Sequence, residues 1–334
     1  MDSNNITLFA TNSLRRIGFG HCGSVWGTLR SSDAACSHIP IVIKREDASP
    51  GRDIENEVLV QSQICAERLS STLIPRCLGL VDSQDKRWDQ ILPLLPQGSE
   101  RCRAMISEKI GTLSIQAQAL LVDMYSPEAN RDMLKRDLYS GKSEHCLARI
   151  YLGRRRQARP SQGQKRRRFF SLRNFPLHVD QAEELGLPCR DYAKAMAEAL
   201  ATLHWKFRTN AADVEFVLGA RRGLGGSNIP LGQHVLWVLD FDCCQPIKAD
   251  ESGLELIARA FWRNDPYYPR AGSALDRDQE LWDIFAAEYL QVGIKMARNY
   301  PRKGEMVEDL CTLVHGAVRR IVETKEKWKG GAHP

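Results

Sequence analysis

The pattern of apolar and polar positions divides the chain into a strand-rich first part and a helix-rich second part. Residues 39–44 form a β-branched apolar run that ends in a lysine, which is typical of a buried strand. Apolar residues recur at helical spacing over 53–69, so one helix is expected among the strands. Further short strands are predicted at 13–17, 25–29, 74–81 and 103–110.

From about residue 113 onward, helical spacing dominates. The clearest helix is predicted at 190–205, where apolar side chains fall on one face. Two strands at 214–218 and 235–241 are expected to form a hairpin around a glycine-rich tip, and 144–152 fits either a helix or a strand. The other helices are predicted at 113–124, 128–138, 278–299 and 306–325.

Composition changes this picture at one segment. The chain has 334 residues and a net charge of +6, but residues 154–168 contain eight basic side chains and no acid. Elsewhere acids slightly outnumber bases, which excludes a histone-like protein that is basic throughout. The segment contains proline, serine and glycine and is predicted to be a loop. A passive loop is favoured, with a nuclear-import patch or a nucleic-acid contact as alternatives.

The cysteines and the apolar runs indicate where in the cell the protein is expected and whether it has the ligands of a zinc site. No apolar run approaches the roughly 20 residues that span a bilayer, and the first residues lack the positive charge of a signal peptide. We therefore expect a cytoplasmic or nuclear protein without a membrane partner, with reduced thiols. The ten cysteines include no C-x-x-C pair, so the ligand spacing does not support zinc, although Cys311 and His315 would suit half a site.

The first candidate for chemistry is a glycine-rich turn. Gly18, Gly20, Gly23 and Val25 form the pattern G-x-G-x-x-G-x-V. Glycines allow a backbone to approach phosphate oxygens closely and to present N–H groups to them. Because a strand is predicted after the turn, the order is that of a protein-kinase phosphate loop, not of a dinucleotide-binding fold. A plain glycine-rich hairpin is the alternative.

A lysine and a glutamate follow this turn in the order that kinases use. Lys44 ends the apolar strand, and Glu57 lies on the next predicted helix. In a kinase these two side chains pair, and the lysine contacts the nucleotide phosphates. The combination predicts that Gly18, Gly20, Gly23, Val25, Lys44 and Glu57 contact a nucleotide, with ATP as the expected cofactor.

Acidic residues at a later strand end complete the predicted site. Asp240-Phe241-Asp242 resembles the D-F-G element, whose aspartate holds Mg²⁺, with Asp242 in place of the glycine. Glu215 stands where kinases have a metal-binding asparagine, so Asp240 and Glu215 are predicted to hold Mg²⁺. The position of the catalytic aspartate is then Asn210, which cannot accept a proton as a carboxylate does. Asp213 is a substitute base only if the loop is rebuilt.

Several long stretches resemble a fungal family that shares a domain of unknown function and whose members are often called "zinc finger protein". In that family the loop tends to read Asp-Ala-x-Asp-Val-Glu-Phe-Val-Leu-Gly, and Asn210 departs from its first aspartate. The resemblance implies no particular activity. The stretches that carry it are CLARIYLGRRR (146–156), FSLRNFPL (170–177), AMAEALATLHW (195–205), DVEFVLG (213–219) and NDPYYPR (264–270).

Together these observations predict an α+β protein with a kinase-like fold. Residues 1–111 would form a small β-rich lobe with one helix, and 112–334 a larger, mainly helical lobe. The expected function is nucleotide binding with degenerate or absent phosphotransferase activity. The alternative is a regulatory or interaction protein of the nucleus that uses the basic segment. The aromatic residues at 262–268 are expected in the core, with a protein-binding surface as the alternative.

Overall fold

Two small β-sheets and a set of helices around the second sheet make up the α+β architecture. They are seen in a computed structural model that describes residues 13–20, 22–28, 40–48, 53–141, 146–156, 170–220, 231–264 and 266–328. The predicted glycine-rich hairpin tip and most of the basic segment, 157–168, lie outside the described residues.

The first sheet is antiparallel, with the strand order β1-β2-β3-β6-β5. The strand β3 lies in the middle of this sheet, and Lys44 near its end is paired with Val25 on one side and Met105 on the other. The central strand therefore fixes the position of the lysine. The strands are β1 (Arg15–Phe19), β2 (Ser24–Gly27), β3 (Ile41–Arg45), β5 (Cys77–Val81) and β6 (Ala104–Glu108).

The second sheet has the order β4-β10-β9-β7-β8. Its centre is the antiparallel pair β9 and β10, which confirms the predicted hairpin strands. The two-residue strand β4 comes from the first part of the chain and pairs with β10 in parallel. The strands are β4 (Thr72–Leu73), β7 (Ala148–Tyr151), β8 (Phe175–His178), β9 (Glu215–Gly219) and β10 (Val235–Leu239).

Three of the helices begin at side chains that cap them. Asp53 accepts hydrogen bonds from the N–H groups of Glu55 and Asn56 and so starts α1, while Ser114 and Asp250 cap α3 and α7. The helices are α1 (Ile54–Glu67), α2 (Trp88–Ile91, followed by a 3₁₀ turn at Leu92–Leu94), α3 (Ile115–Tyr125), α4 (Glu128–Tyr139), α5 (Val179–Glu184), α6 (Cys189–Trp205), α7 (Glu251–Arg263), α8 (Asp276–Asn299), α9 (Val307–Glu323) and α10 (Lys325–Trp328).

The largest core lies where α6, α8 and α9 meet. Gly293 of α8 allows this close approach, because a Cβ there would lie 2.7 Å from Val314 and 3.1 Å from the Trp205 indole. Tyr289 binds both His204 Nδ1 (2.7 Å) and Trp205 Nε1 (2.9 Å), which satisfies polar groups in this apolar region. None of the described helices is long and apolar enough to cross a membrane.

Most of the predicted helices and strands are present, and the structure decides the one run that was ambiguous. The ambiguous run 144–152 contains the strand β7, whose side chains are mostly buried on both faces and therefore show no clear alternation. The helix α7 and the strand β8 were not predicted. Tyr267 and Tyr268 are buried, which confirms their place in the core. The two-lobe kinase arrangement and its boundary at 111 stay predictions.

Candidate functional site

Lys44 brings together three sequence motifs that lie far apart in the chain. Its Nζ lies 2.7 Å from Glu57 Oε2, 2.7 Å from Asp240 Oδ1 and 3.8 Å from Asp242 Oδ2. The strand β3 presents the lysine, α1 presents the glutamate, and the turn after β10 presents both aspartates. We call these four residues the Lys44 cluster.

Burial gives the Lys44 cluster unusual electrostatics. Burial disfavours the charged form of Lys44, but the nearby carboxylates of Asp240, Glu57 and Asp242 outweigh it and hold its pKa well above the ordinary value. Burial is also the main reason that the pKa of Glu57 rises to about 7, against the opposing influence of Lys44. The cluster therefore keeps its ammonium group, and Glu57 resists ionisation.

The Lys44 cluster contains three carboxyl groups for one ammonium group. When all are ionised, acids exceed bases in a desolvated space, which is unfavourable without a further cation. Asp240 has a left-handed backbone conformation (φ 67°), and its side chain is 31% exposed, while the other three side chains are at most 10% exposed. Asp240 is thus the member placed to meet a ligand from solvent.

The glycine-rich turn lies against the end of β3. Gly20 donates its N–H to the Gly23 carbonyl (2.9 Å), and Gly23 (φ 149°) has no room for a side chain, because a Cβ would lie 2.2 Å from the Arg45 carbonyl oxygen. Gly18 packs against Val25, which is half-buried. Gly23 and Val25 therefore lie beside the end of β3 that carries Lys44.

Two side chains of the turn region were not anticipated from the sequence. Asp47 accepts hydrogen bonds from the N–H (2.7 Å) and the hydroxyl (2.6 Å) of Ser24, and it also pairs with Arg45 (2.7 Å). Cys22 donates its thiol proton to Asp242 Oδ2 (2.7 Å). Cys22 occupies a variable position of the glycine-rich pattern and Asp47 lies outside it, so the only available signal was their closeness in sequence to Gly23 and Lys44.

Asn210 has a structural task in the loop before β9. It is buried, and its Oδ1 accepts hydrogen bonds from the N–H groups of Ala212 (3.1 Å) and Gln245 (2.9 Å). Its own N–H donates to the Gln245 carbonyl (2.9 Å). Asn210 thereby ties its loop to the chain that follows Asp240 and Asp242.

Asp213, the predicted substitute base, and Glu215, a predicted metal ligand, have different surroundings. Asp213 is exposed with φ 63°, and its carboxylate lies within 4.8 Å of ligand atoms of Asp242 and Cys243. Glu215 forms an ion pair with Arg149 of the neighbouring strand β7. A metal role for Glu215 would require this ion pair to open, whereas Asp213 already faces Asp242.

A cavity of about 370 Å³ borders the cluster at Asp242. It lies between the first turn of α1, at Asp53 and Asn56, and residues 242–246. Asn56 Nδ2 donates to the Cys244 carbonyl (2.8 Å) and so fixes the distance between its two walls. The cavity thus approaches the cluster from the Asp242 side, and Lys44 is not part of its lining.

The described start of the basic segment is paired within the protein. Arg155 binds Glu183 in a two-pronged arrangement (2.7 Å to each oxygen) and also pairs with Asp278, while Arg156 binds Asp180 (2.6 Å). These arginines connect β7 to α5 and α8. Arg155 and Arg156 are thus engaged within the protein, so a contact with nucleic acid or an import receptor would rest on the other basic residues, of which those in 157–168 lie outside the described residues.

The chemistry of the described residues gives no four-ligand zinc site. Two groups of three potential ligands occur among them, Cys22 with Glu57 and Asp242, and Asp213 with Asp242 and Cys243. Both share Asp242, so only one of them can use it at a time. The prediction from ligand spacing that zinc is not supported stays a prediction.

The comparison with known families concerns β10, α7 and α8. No curated protein matches the chain. Residues 236–301 contain no histidine, and their two cysteines, Cys243 and Cys244, are adjacent, so this stretch alone cannot form a finger. Those same residues match the family described as "DUF3669: Zinc finger protein", a domain of unknown function, which confirms the resemblance expected from the sequence over that stretch.

Proposed function

We propose that this protein binds a nucleotide together with Mg²⁺ in a kinase-like cleft at the Lys44 cluster and does not transfer the phosphoryl group efficiently. The observation that carries the proposal is the position of Lys44 between Glu57 and Asp240, at 2.7 Å from each. Phosphoryl-transfer proteins of the kinase class use this lysine–glutamate pair and metal-binding aspartate. The order β1-β2-β3-β6-β5 with α1 after β3 supports the same proposal.

The charge of the cluster favours a metal–nucleotide complex over a free anion. A nucleotide phosphate alone would add negative charge beside Asp240 and Asp242. Mg²⁺ would supply the missing positive charge, and carboxylate oxygens are the ligands it prefers. Asp240 would hold the metal, Lys44 would contact the phosphates, and Asp242 or Asp213 would complete the set of acidic ligands.

The loop before β9 argues against efficient transfer. A general base must accept the proton of the attacking hydroxyl group. Asn210 has no carboxylate, and its Oδ1 already accepts two backbone hydrogen bonds. Glu215 is paired with Arg149. The chain therefore has residues suited to holding the phosphates, whereas the position of the general base has no residue that can accept the proton.

Thermal unfolding with and without ligand tests the binding proposal. We expect Mg-ATP to raise the melting temperature of the wild type, and ATP with a chelator to raise it much less, because the metal offsets the charge of Asp240. Lys44→Met should abolish the ligand-induced shift. The matched control is Lys295→Met, an exposed lysine on α8, which should keep it.

A wild type that Mg-ATP does not stabilise would contradict the proposal. It would favour the alternative of a regulatory protein of the nucleus that acts through 157–168. Deleting 157–168 and following cellular location would then test that alternative, with loss of nuclear accumulation as its expected result.

A further inference from the structure

We propose that Cys22 latches the glycine-rich turn onto the Asp-Phe-Asp segment and that this latch opposes ligand entry at the Lys44 cluster. The latch itself is a feature of the fold. Its effect on ligand entry rests on the proposed nucleotide function, so the experiment below measures the two separately.

The contact that forms the latch is buried and joins two residues that are 220 positions apart in the sequence. Cys22 lies in the turn between β1 and β2, its side chain and backbone are 1% exposed, and its Sγ donates to Asp242 Oδ2 at 2.7 Å. Asp242 is itself buried and accepts this proton while it lies 3.8 Å from Lys44 Nζ. A carboxylate acceptor strengthens the hydrogen bond from the thiol, which is by itself a weak donor, and burial protects the contact from competition by water.

The turn also satisfies its own anion-binding groups. The Gly20 N–H is bonded to the Gly23 carbonyl, and the Ser24 N–H and hydroxyl both donate to Asp47. Arg45 holds the same Asp47 carboxylate at 2.7 Å. A phosphate that approached these donors would have to displace the Asp47 carboxylate from Ser24 and the Gly23 carbonyl from Gly20. These three donors are therefore already bonded within the protein.

The segment on the other side of the latch is held from two further directions. Asn56 of α1 donates to the Cys244 carbonyl, and Asn210 binds both the N–H and the carbonyl of Gln245. We therefore take residues 242–246 as the fixed side of the latch and the turn as the side that moves, with the Cys22 carbonyl keeping the hydrogen bond that it accepts from the Ala48 N–H (3.3 Å). Release of the Cys22 thiol would free Asp242 Oδ2 for a cation.

An equilibrium between latched and open turns makes a quantitative prediction. Ligand affinity falls in proportion to the fraction of molecules that can bind, so removal of the latch should tighten binding. Cys22→Ala removes the donor, whereas Cys22→Ser keeps a donor at the same place. We expect Cys22→Ala to lower the Kd for Mg-ATP about tenfold, because one hydrogen bond to a charged group corresponds to roughly one decade in an equilibrium constant. Cys22→Ser should stay within about twofold of the wild type.

Hydrogen–deuterium exchange of the ligand-free proteins measures the latch without reference to nucleotide. Peptides that cover 18–24 should exchange faster in Cys22→Ala and at the wild-type rate in Cys22→Ser, while peptides from α6 stay unchanged in both. Unchanged α6 peptides also show that the variants are folded.

The outcomes separate the two proposals. If 18–24 exchange at the wild-type rate in Cys22→Ala, the latch is overturned. If exchange rises but the Kd for Mg-ATP does not fall, the opposing effect of the latch is overturned. If exchange rises and neither protein binds Mg-ATP, the latch is supported and the nucleotide proposal fails. Binding by Cys22→Ala alone would support both.

Discussion

The Lys44 cluster and the pair of arginines at the start of the basic segment use the same types of side chain for different purposes. Arg155 and Arg156, with Asp180, Glu183, Glu184 and Asp278, form what we call the Arg155 cluster. Its arginines bind their carboxylates through fork-shaped or multiple hydrogen bonds, and Arg156 is 44% exposed at its side chain. The Lys44 cluster has one compact ammonium group and is largely buried.

This difference shows that burial, and not the number of ion pairs, gives the two clusters different electrostatics. Water and several N–H donors stabilise the excess acid in the Arg155 cluster. In the Lys44 cluster the side chains of Glu57 and Asp242 are almost fully removed from water, so burial raises the pKa of Glu57 and a further cation would be stabilised. The net charge of +6 points to neither property, because the basic excess lies in 154–168.

The largest expected effect on stability comes from the removal of Lys44. Lys44→Met leaves Glu57, Asp240 and Asp242 close together in a buried space without their cation. Breaking a buried ion pair by removing one partner costs about 3–5 kcal/mol, and we expect a loss of this size in the free energy of unfolding by urea. Lys295→Met should change that free energy by less than about 0.5 kcal/mol, since exposed substitutions seldom do more. Equal losses in the two variants would show that the buried pairing of Lys44 does not contribute to stability.

The free energy of unfolding, measured as a function of pH, tests the Lys44 cluster through the titration of Glu57. Because burial raises its pKa from 4.5 to about 7, the folded protein holds a proton that the unfolded chain has released. The stability contributed by Glu57 is therefore fully present below pH 4.5 and is lost as the pH rises through 7. Glu57→Gln cannot lose this proton, so the free energy of unfolding of the wild type should fall relative to that of Glu57→Gln between these pH values. A constant difference would show that Glu57 titrates normally.

A smaller effect is expected from Arg155→Ala. The change removes hydrogen bonds to Glu183 and Asp278, but both carboxylates can then be hydrated. We expect a loss of about 1–2 kcal/mol in the free energy of unfolding, in the range of charge-assisted bonds at partly exposed sites. Arg155→Lys should recover part of it, because a lysine lacks the fork that binds Glu183. A loss as large as that of Lys44→Met would mean that burial does not separate the two clusters.

The smallest effect is expected at Arg156. Its side chain is the most exposed of the cations in the two clusters, and surface ion pairs contribute about 0–1 kcal/mol. We expect Arg156→Ala to cost less than about 1 kcal/mol and its effect to shrink further at high salt. Urea unfolding at two salt concentrations measures this. A cost that exceeds that of Arg155→Ala would reverse the order predicted from exposure.

The sequence predicts those parts of the site that belong to motifs in a recognisable order along the chain. The apolar strand before Lys44, the helix of Glu57 and the strand before Asp240 each follow from periodicity, and the structure brings these three residues together. The pairing of Arg149 with Glu215 was not foreseen, because it depends on β7 lying beside β9. The clamp by Asn210 and the contact of Cys22 with Asp242 join residues 35 and 220 positions apart, which local patterns do not encode.

The affinity for Mg-ATP of the wild type, compared with that of Asp240→Asn, tests the central claim most directly. Asp240→Asn keeps the size of the side chain but removes the carboxylate that faces solvent, and Asp132→Asn on α4 is a matched exposed control. If the Lys44 cluster is a metal–nucleotide site, isothermal titration should show binding by the wild type and by Asp132→Asn, and a loss of at least tenfold in Asp240→Asn. Equal affinity in all three proteins, or no binding by the wild type, would contradict the account.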